Sequence, residues 1–225
     1  MTFGFYFFCF FIYVSIFVIS DKMLGDTVKG KYYLIHFINN MFITFYTYRN
    51  ILECLTDIYK FQEYTTNPQT IIITFALHVY HIISYFDKLR FDDWLHHILM
   101  IAIVVPVGIF MNSGSLLGCG LFFLSGLPGG IDYLLLFLVR NKIIDRMLEK
   151  YINTYLNIWI RCPGCIFHAT ITILTLIKFA DNYSYFNLIS GFLCVFIIFW
   201  NGVYFMNQVV QNYAVNNYIL NQKKN

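Results

Sequence analysis

Apolar runs of about twenty residues alternate with short polar turns along the whole sequence. The first, FGFYFFCFFIYVSIFVIS at 3–20, is long enough to cross about 30 Å of hydrocarbon as one helix. Further runs cover about 32–52, 71–86, 94–111, 116–139, 163–180 and 184–207. The pattern predicts an all-α fold, a polytopic membrane helix bundle of about seven transmembrane helices. It makes a single membrane domain of 1–225 with a short cytosolic tail at 208–225. No lysine or arginine precedes the first run and no small-residue cleavage site follows it, so it reads as an uncleaved first helix.

Three runs depart from plain apolarity. His36, Asn40 and Thr44 follow i, i+4 spacing in the second, a face that should look into the bundle as interhelical hydrogen-bonding groups or as substrate-lining residues. The fourth carries Pro106-Val107-Gly108, which predicts a kink. The run at 116–139 is interrupted by Gly126-Leu127-Pro128-Gly129-Gly130 with Asp132 just after, suiting either one broken helix or two short re-entrant ones. Asp132 should face the interior, since a carboxylate turned to lipid costs at least about 2.5 kcal/mol. Residues 151–160, with Trp159, read as interfacial, so that the sixth span begins after Arg161.

Charge decides how often 116–139 crosses. With a single crossing, twelve of the fifteen lysines and arginines, Arg161 among them, collect on one side; Arg49, Lys60 and Lys178 lie on the other. Such a bias is what the positive-inside rule requires. It places the N-terminus outside the cytosol and the C-terminus inside it, in the endoplasmic reticulum or another endomembrane.

Charged residues are 12% of the chain and hydrophobic ones 59%, against roughly 25% charged in soluble domains. That excludes a separate soluble domain. The net charge of +3 comes from short loops and forms no stripe, so no nucleic-acid partner is expected. Of six cysteines, only Cys162-Pro163-Gly164-Cys165 has redox or metal spacing, and it lacks the second pair or βαβ setting those uses need.

Candidate chemistry concentrates between 70 and 111. His78 and His81 share a helix face at i, i+3, and His96 and His97 open the next run after a short charged turn. Histidine in a spanning helix is costly and marks a functional site by default. At 1.5 Å per residue His81 lies roughly 9 Å and His78 roughly 13 Å from that turn, so one hairpin can bring all four to comparable depth. Asp92 and Asp93 lie four residues before His96 and His97, where a carboxylate can hold an imidazole tautomer and raise its basicity. Three readings stand side by side: histidines bonded between helices, a metal site of up to four imidazoles, and an acid–base or nucleophilic centre walled by His78, His81, His36, Asn40 and Asp132. No further carboxylate or histidine cluster completes a metal site, so neither a metal nor a permanently bound cofactor is expected.

The block Tyr85-Phe86-Asp87, followed by Arg90-Phe91-Asp92-Asp93-Trp94-Leu95-His96-His97 at the start of a span, resembles the TLC-domain family, which includes the ceramide synthases. The resemblance covers about 30–210, and the acidic-then-His-His block is its specific part. It implies acyl transfer from a fatty acyl-CoA to a sphingoid base within membrane lipid. His96 and His97 would form the catalytic centre, with Asp92 or Asp93 in support. The family's glutamate-serine element in the following helix is here Leu124-Ser125-Gly126, without the glutamate. Other members serve lipid composition or cargo trafficking. Two functions therefore stay open: acyl-CoA-dependent N-acyl transfer, and non-enzymatic lipid binding, lipid homeostasis or trafficking. The basic stretch Arg140 to Lys150 suits the phosphates of CoA, or topology alone.

Overall fold

The computed structural model describes residues 3–111 and 113–222, and the side chains of all of these except Phe3 and Asp92. No strand occurs among them. Seven helices run in chain order: α1 (Phe3–Leu24), α2 (Lys31–Thr56), α3 (Pro68–Tyr85), α4 (91–110), α5 (Gly114–Arg140), α6 (Arg146–Lys178) and α7 (Tyr185–Gln222). All but α2 are long and apolar enough to cross a membrane. The large apolar side chains turned outward, such as Phe8, Phe45, Ile83 and Phe196, need lipid rather than water around them. The chain is a membrane-embedded all-α bundle, as the hydropathy pattern predicts.

α2 packs among these six, and its lower hydropathy has a structural cause. Its inner stripe buries His36, Asn39, Asn40, Thr47 and Asn50, while Ile38, Phe42 and Phe45 face outward. The polar stripe is covered by α5, which runs antiparallel to it at close range. A Cβ on Gly129 would sit 2.8 Å from Asn40 Nδ2, one on Gly130 3.0 Å from Met41 Sδ, and one on Gly126 3.2 Å from Thr44 Oγ1. Small residues let two spanning helices approach this closely. The glycines of the interrupted run are thus packing residues against the polar face of α2.

Loop contacts fix the direction of the helices. At one end Asn141, just after α5, donates to the Lys29 carbonyl before α2 (2.8 Å). At the other, the Ser115 N–H donates to the Phe61 carbonyl (3.0 Å) and Gln62 to the Tyr183 hydroxyl (3.2 Å). Chain direction therefore alternates through the helices, and α5 runs from one end of the bundle to the other as one helix without a re-entrant turn. Around the first end Asp21 of α1 accepts from Tyr80 (2.9 Å) and Tyr85 (2.6 Å) of α3 and pairs with Lys31 of α2 (3.1 Å), tying three helices together.

The four prolines account for where the helices depart from α geometry. Pro68 occupies the first turn of α3, where Asn67 caps by accepting from the Gln69 N–H (2.9 Å). Pro106, Pro128 and Pro163 each stand two residues after a π-helical segment: Ile98–Val104, Phe122–Gly126 and Asn157–Arg161. A proline inside a helix cannot donate to the carbonyl four residues back and its ring collides with it. Those carbonyls, of Ala102, Leu124 and Trp159, all belong to the π segments, whose wider i→i+5 ladder removes them from the collision. The bonds Val105 N–H to Met100 O and Cys162 N–H to Asn157 O have this longer step. The expected kink and break are therefore absorbed within continuous helices.

α6 corrects the sequence reading. Residues 151–160 are not separated from the span that follows; they belong to one 33-residue helix with Arg161 near its middle. At 1.5 Å per residue α6 is about 50 Å long and the 38-residue α7 about 57 Å, so both outrun a hydrocarbon layer of about 30 Å. Their extensions pair beyond it, through Lys150 to Asn212 (2.9 Å) and the Tyr151–Tyr213 rings. The tail at 208–222 is the last part of α7.

Candidate functional site

α2 to α7 enclose a chamber of about 600 Å³. Exposed Arg90, Phe91 and Gln208 mark its mouth at the basic end, where α4 begins and α7 continues outward. The sequence-predicted residues His36, Asn40, His78, His81, Asp93, His96, His97 and Asp132 all line it. Of the predicted set only the Asp92 side chain lies outside the described residues. The π segments bring their residues to the same space: Leu99 and Met100 from α4, Leu124 and Ser125 from α5, Asn157 and Arg161 from α6.

The histidines divide by what their ring nitrogens do. His36 lies between the Tyr32 and Tyr133 rings, at 4.0 and 4.6 Å between centroids, and its Nδ1–H donates to the Tyr32 carbonyl (2.9 Å). His78 Nδ1–H likewise donates to the Thr74 carbonyl (2.7 Å), because a carbonyl can only accept. A neutral His78 then has an acceptor at Nε2, and the 3.3 Å contact to His96 Nε2 makes His96 the donor. His81 Nδ1 stands 3.5 Å from the Tyr32 hydroxyl. His97 differs from all of these: it is 6% exposed and neither ring nitrogen has a hydrogen-bond partner. Its ring is 5.0 Å from that of His81 and 5.1 Å from that of His78.

Asp93 lines the chamber with His97 but makes no hydrogen bond to it. Its carboxylate turns back to the start of α4, accepting from the Arg90 N–H (2.9 Å) and lying 3.5 Å from the Arg90 guanidinium. An open helix N-terminus offers unpaired N–H donors, and this competes successfully for the acid. Asp132 faces the interior as expected and accepts from Asn153 of α6 (2.7 Å). Among the described residues no three His, Cys, Asp or Glu side chains converge as metal ligands.

The sequence reading missed the wall contributed by α6 and α7. Asn153, Asn157 and Arg161 are four residues apart along α6, and Asn201 of α7 stands opposite. Their polar spacing could have been read had α6 been recognised as one helix. Past Met100 and Leu124, which border both spaces, a smaller and mainly apolar cavity of about 70 Å³ continues toward the far end, lined by Val104, Val107, Leu117 and Ile198. Compared with protein-family models, with curated proteins and with solved structures, the chain matches none of them.

Proposed function

We propose that this protein handles an acyl lipid inside the membrane, with the polar end of the lipid in the histidine chamber and the tail toward the apolar cavity beyond Met100 and Leu124. The observation that carries this reading is His97, buried with both ring nitrogens unpartnered in a space that opens at the basic end of the bundle. A buried polar group without a partner is disfavoured, so an unbonded imidazole facing a chamber is a group waiting for a ligand. The TLC-type resemblance makes the chemistry N-acyl transfer from acyl-CoA, as in a ceramide synthase. His97 takes a proton from the lipid amine, the amine nitrogen attacks the thioester carbonyl carbon, the C–S bond breaks, and the departing thiolate takes the proton from His97. His96 is occupied by His78, which leaves His97 as the base and His96 as its neighbour in the wall.

One observation favours the second reading, a non-enzymatic lipid-binding or trafficking protein: among the described side chains no carboxylate bonds to a ring nitrogen of His97, Asp93 being held by Arg90. The test measures acyl-CoA consumption by protein in detergent with sphingoid bases and other lipid amines, for the native chain and His97→Ala. Turnover that disappears in the variant supports transfer. Absence of turnover with every amine, together with a change in co-purifying lipid on His97→Ala, leaves the binding reading. An endoplasmic reticulum or other endomembrane location with the basic end cytosolic belongs to the same proposal. Single cysteines at 29, 90 and 146 should be labelled from the cytosol and one at 64 only after permeabilisation.

A further inference from the structure

Acyl transfer at His97 leaves one charged group of the chamber without a task. Arg161 sits near the middle of α6, at the end of its π segment, half-buried in a membrane-spanning bundle. Its guanidinium lies over the Phe205 ring at 4.4 Å, and Nη2 makes a long 3.4 Å contact with Asn201 Oδ1. Nε is buried and has no hydrogen-bond partner. Among the described residues no carboxylate comes within ion-pair distance of it. Asp132, which shares the chamber, accepts instead from Asn153. One turn earlier, Asn157 is 3% exposed with an unpartnered Oδ1, while its amide donates to Asn153. The orphaned polar atoms of Arg161, Asn157 and His97 thus all belong to groups lining one chamber.

Charged residues in spanning helices ordinarily pair with another charge or with carbonyl groups. Arg161 has an aromatic face and one distant amide, and its forked donors are the group best suited to two oxygens of one anion. From this geometry we infer that Arg161, with Asn157 and Asn201 beside it, is a binding subsite for the phosphate of a lipid headgroup or of a free phosphate compound entering from the basic end. Arg161 supplies charge-assisted hydrogen bonds to two phosphate oxygens, Phe205 holds the guanidinium plane, and the Asn157 carbonyl oxygen accepts from a hydroxyl or amine next to the phosphate. The inference rests on the lipid-handling reading and adds the charge class of what the chamber takes.

The experiment is calorimetric titration in neutral detergent with three probes: a short-chain phosphatidic acid, the diacylglycerol of the same chains, and inorganic phosphate. Phosphatidic acid should bind the native protein, and Arg161→Gln should weaken it at least about tenfold, whereas Arg161→Lys, which keeps the charge, retains part of the affinity. Diacylglycerol binding should not respond to either change. Competition of inorganic phosphate with phosphatidic acid identifies a free anion as sufficient; its failure to compete identifies a lipid phosphate as the requirement. Equal phosphatidic acid affinity in the native protein and Arg161→Gln, or an equal loss for diacylglycerol, overturns the proposal. Should Arg161→Gln not fold, Arg161→Lys with a native-like unfolding midpoint must still bind phosphatidic acid more weakly than the native chain, or the proposal falls. A protein without transferase turnover but with Arg161-dependent phosphatidic acid binding refutes only the transfer step.

Discussion

His97 and His168 are buried almost equally, 6% and 5% exposed, in helices of the same bundle. His168 Nε2–H donates to the Leu116 carbonyl of α5 (2.9 Å), and its ring covers Gly120, where a Cβ would come within 3.0 Å of it. His168 keeps one nitrogen, Nδ1, without a partner, whereas both ring nitrogens of His97 lack one. The difference extends to their surroundings. Near His168 and beyond, the far end is knotted by its own polar groups: Thr66 donates to the Gly114 carbonyl (2.7 Å) and accepts from the Gly118 N–H (2.7 Å), and Asn50 donates to Glu53 (2.9 Å). Single orphaned atoms, Asn50 Oδ1 and His168 Nδ1, remain at the far end, but at the basic end those of His97, Asn157 and Arg161 line one chamber. Equal burial of the same residue type therefore means different things, and the partner of each nitrogen tells a fastener from a candidate working group.

Four substitutions break or sharpen this contrast. The largest effect is expected of His97→Ala: turnover in the acyl-transfer assay should fall by at least about a hundredfold, because a general base contributes that much or more. Its unfolding midpoint should stay level or rise, since the variant deletes an unsatisfied buried group, and a clear drop would class His97 with His168. Gly118→Val comes next. The added side chain would collide with Asn50 and crowd Thr66, so the far-end knot should loosen by about 1–3 kcal/mol, read in denaturant or thermal unfolding in detergent. A native-like midpoint would mean that the knot is not holding that end. His168→Ala orphans the Leu116 carbonyl and should lower stability by about 1–3 kcal/mol, while turnover per folded molecule falls far less than in His97→Ala. Asp93→Asn should do least, a few tenths of a kcal/mol up to about 1, because an amide oxygen still caps the Arg90 N–H. A loss of turnover there comparable to that of His97→Ala would restore Asp93 as the partner of His97.

How much of this was legible in the sequence depends on which force set each feature. Hydrophobic length governs the crossings, and the seven runs were visible directly, as was the i, i+4 polar face of α2. The histidines at 36, 78, 81, 96 and 97 were legible because imidazoles have few places to go in a bundle except inward. Arg161 was not, for a local reason. Pro163-Gly164 ordinarily opens a helix, and only the π segment ahead of it lets α6 run through. Once the helix was cut there, Arg161 fell at its rim and was assigned to topology. The Asp93–His97 pairing failed differently: spacing sets which residues share a face, but the unpaired N–H donors at the start of α4 claimed the carboxylate first. Both errors concern backbone hydrogen bonds, which the side-chain pattern does not record.

The prolines behind the three π segments have a last consequence, one of chain length rather than of chemistry. A π turn holds one residue more than the α turn it replaces, and each added residue rotates the remainder of the helix by about 100°. The register between the two halves of α4, of α5 and of α6 is therefore stored in single surplus residues. Removing one residue from 157–160 would take away the π turn and bring the Pro163 ring against the carbonyl four residues before it, and Arg161 and His168 could no longer both keep their present neighbours. In such helices a one-residue deletion is a more drastic edit than almost any substitution, and related chains should be compared by the number of residues between Asn153 and Pro163 before their identities are weighed.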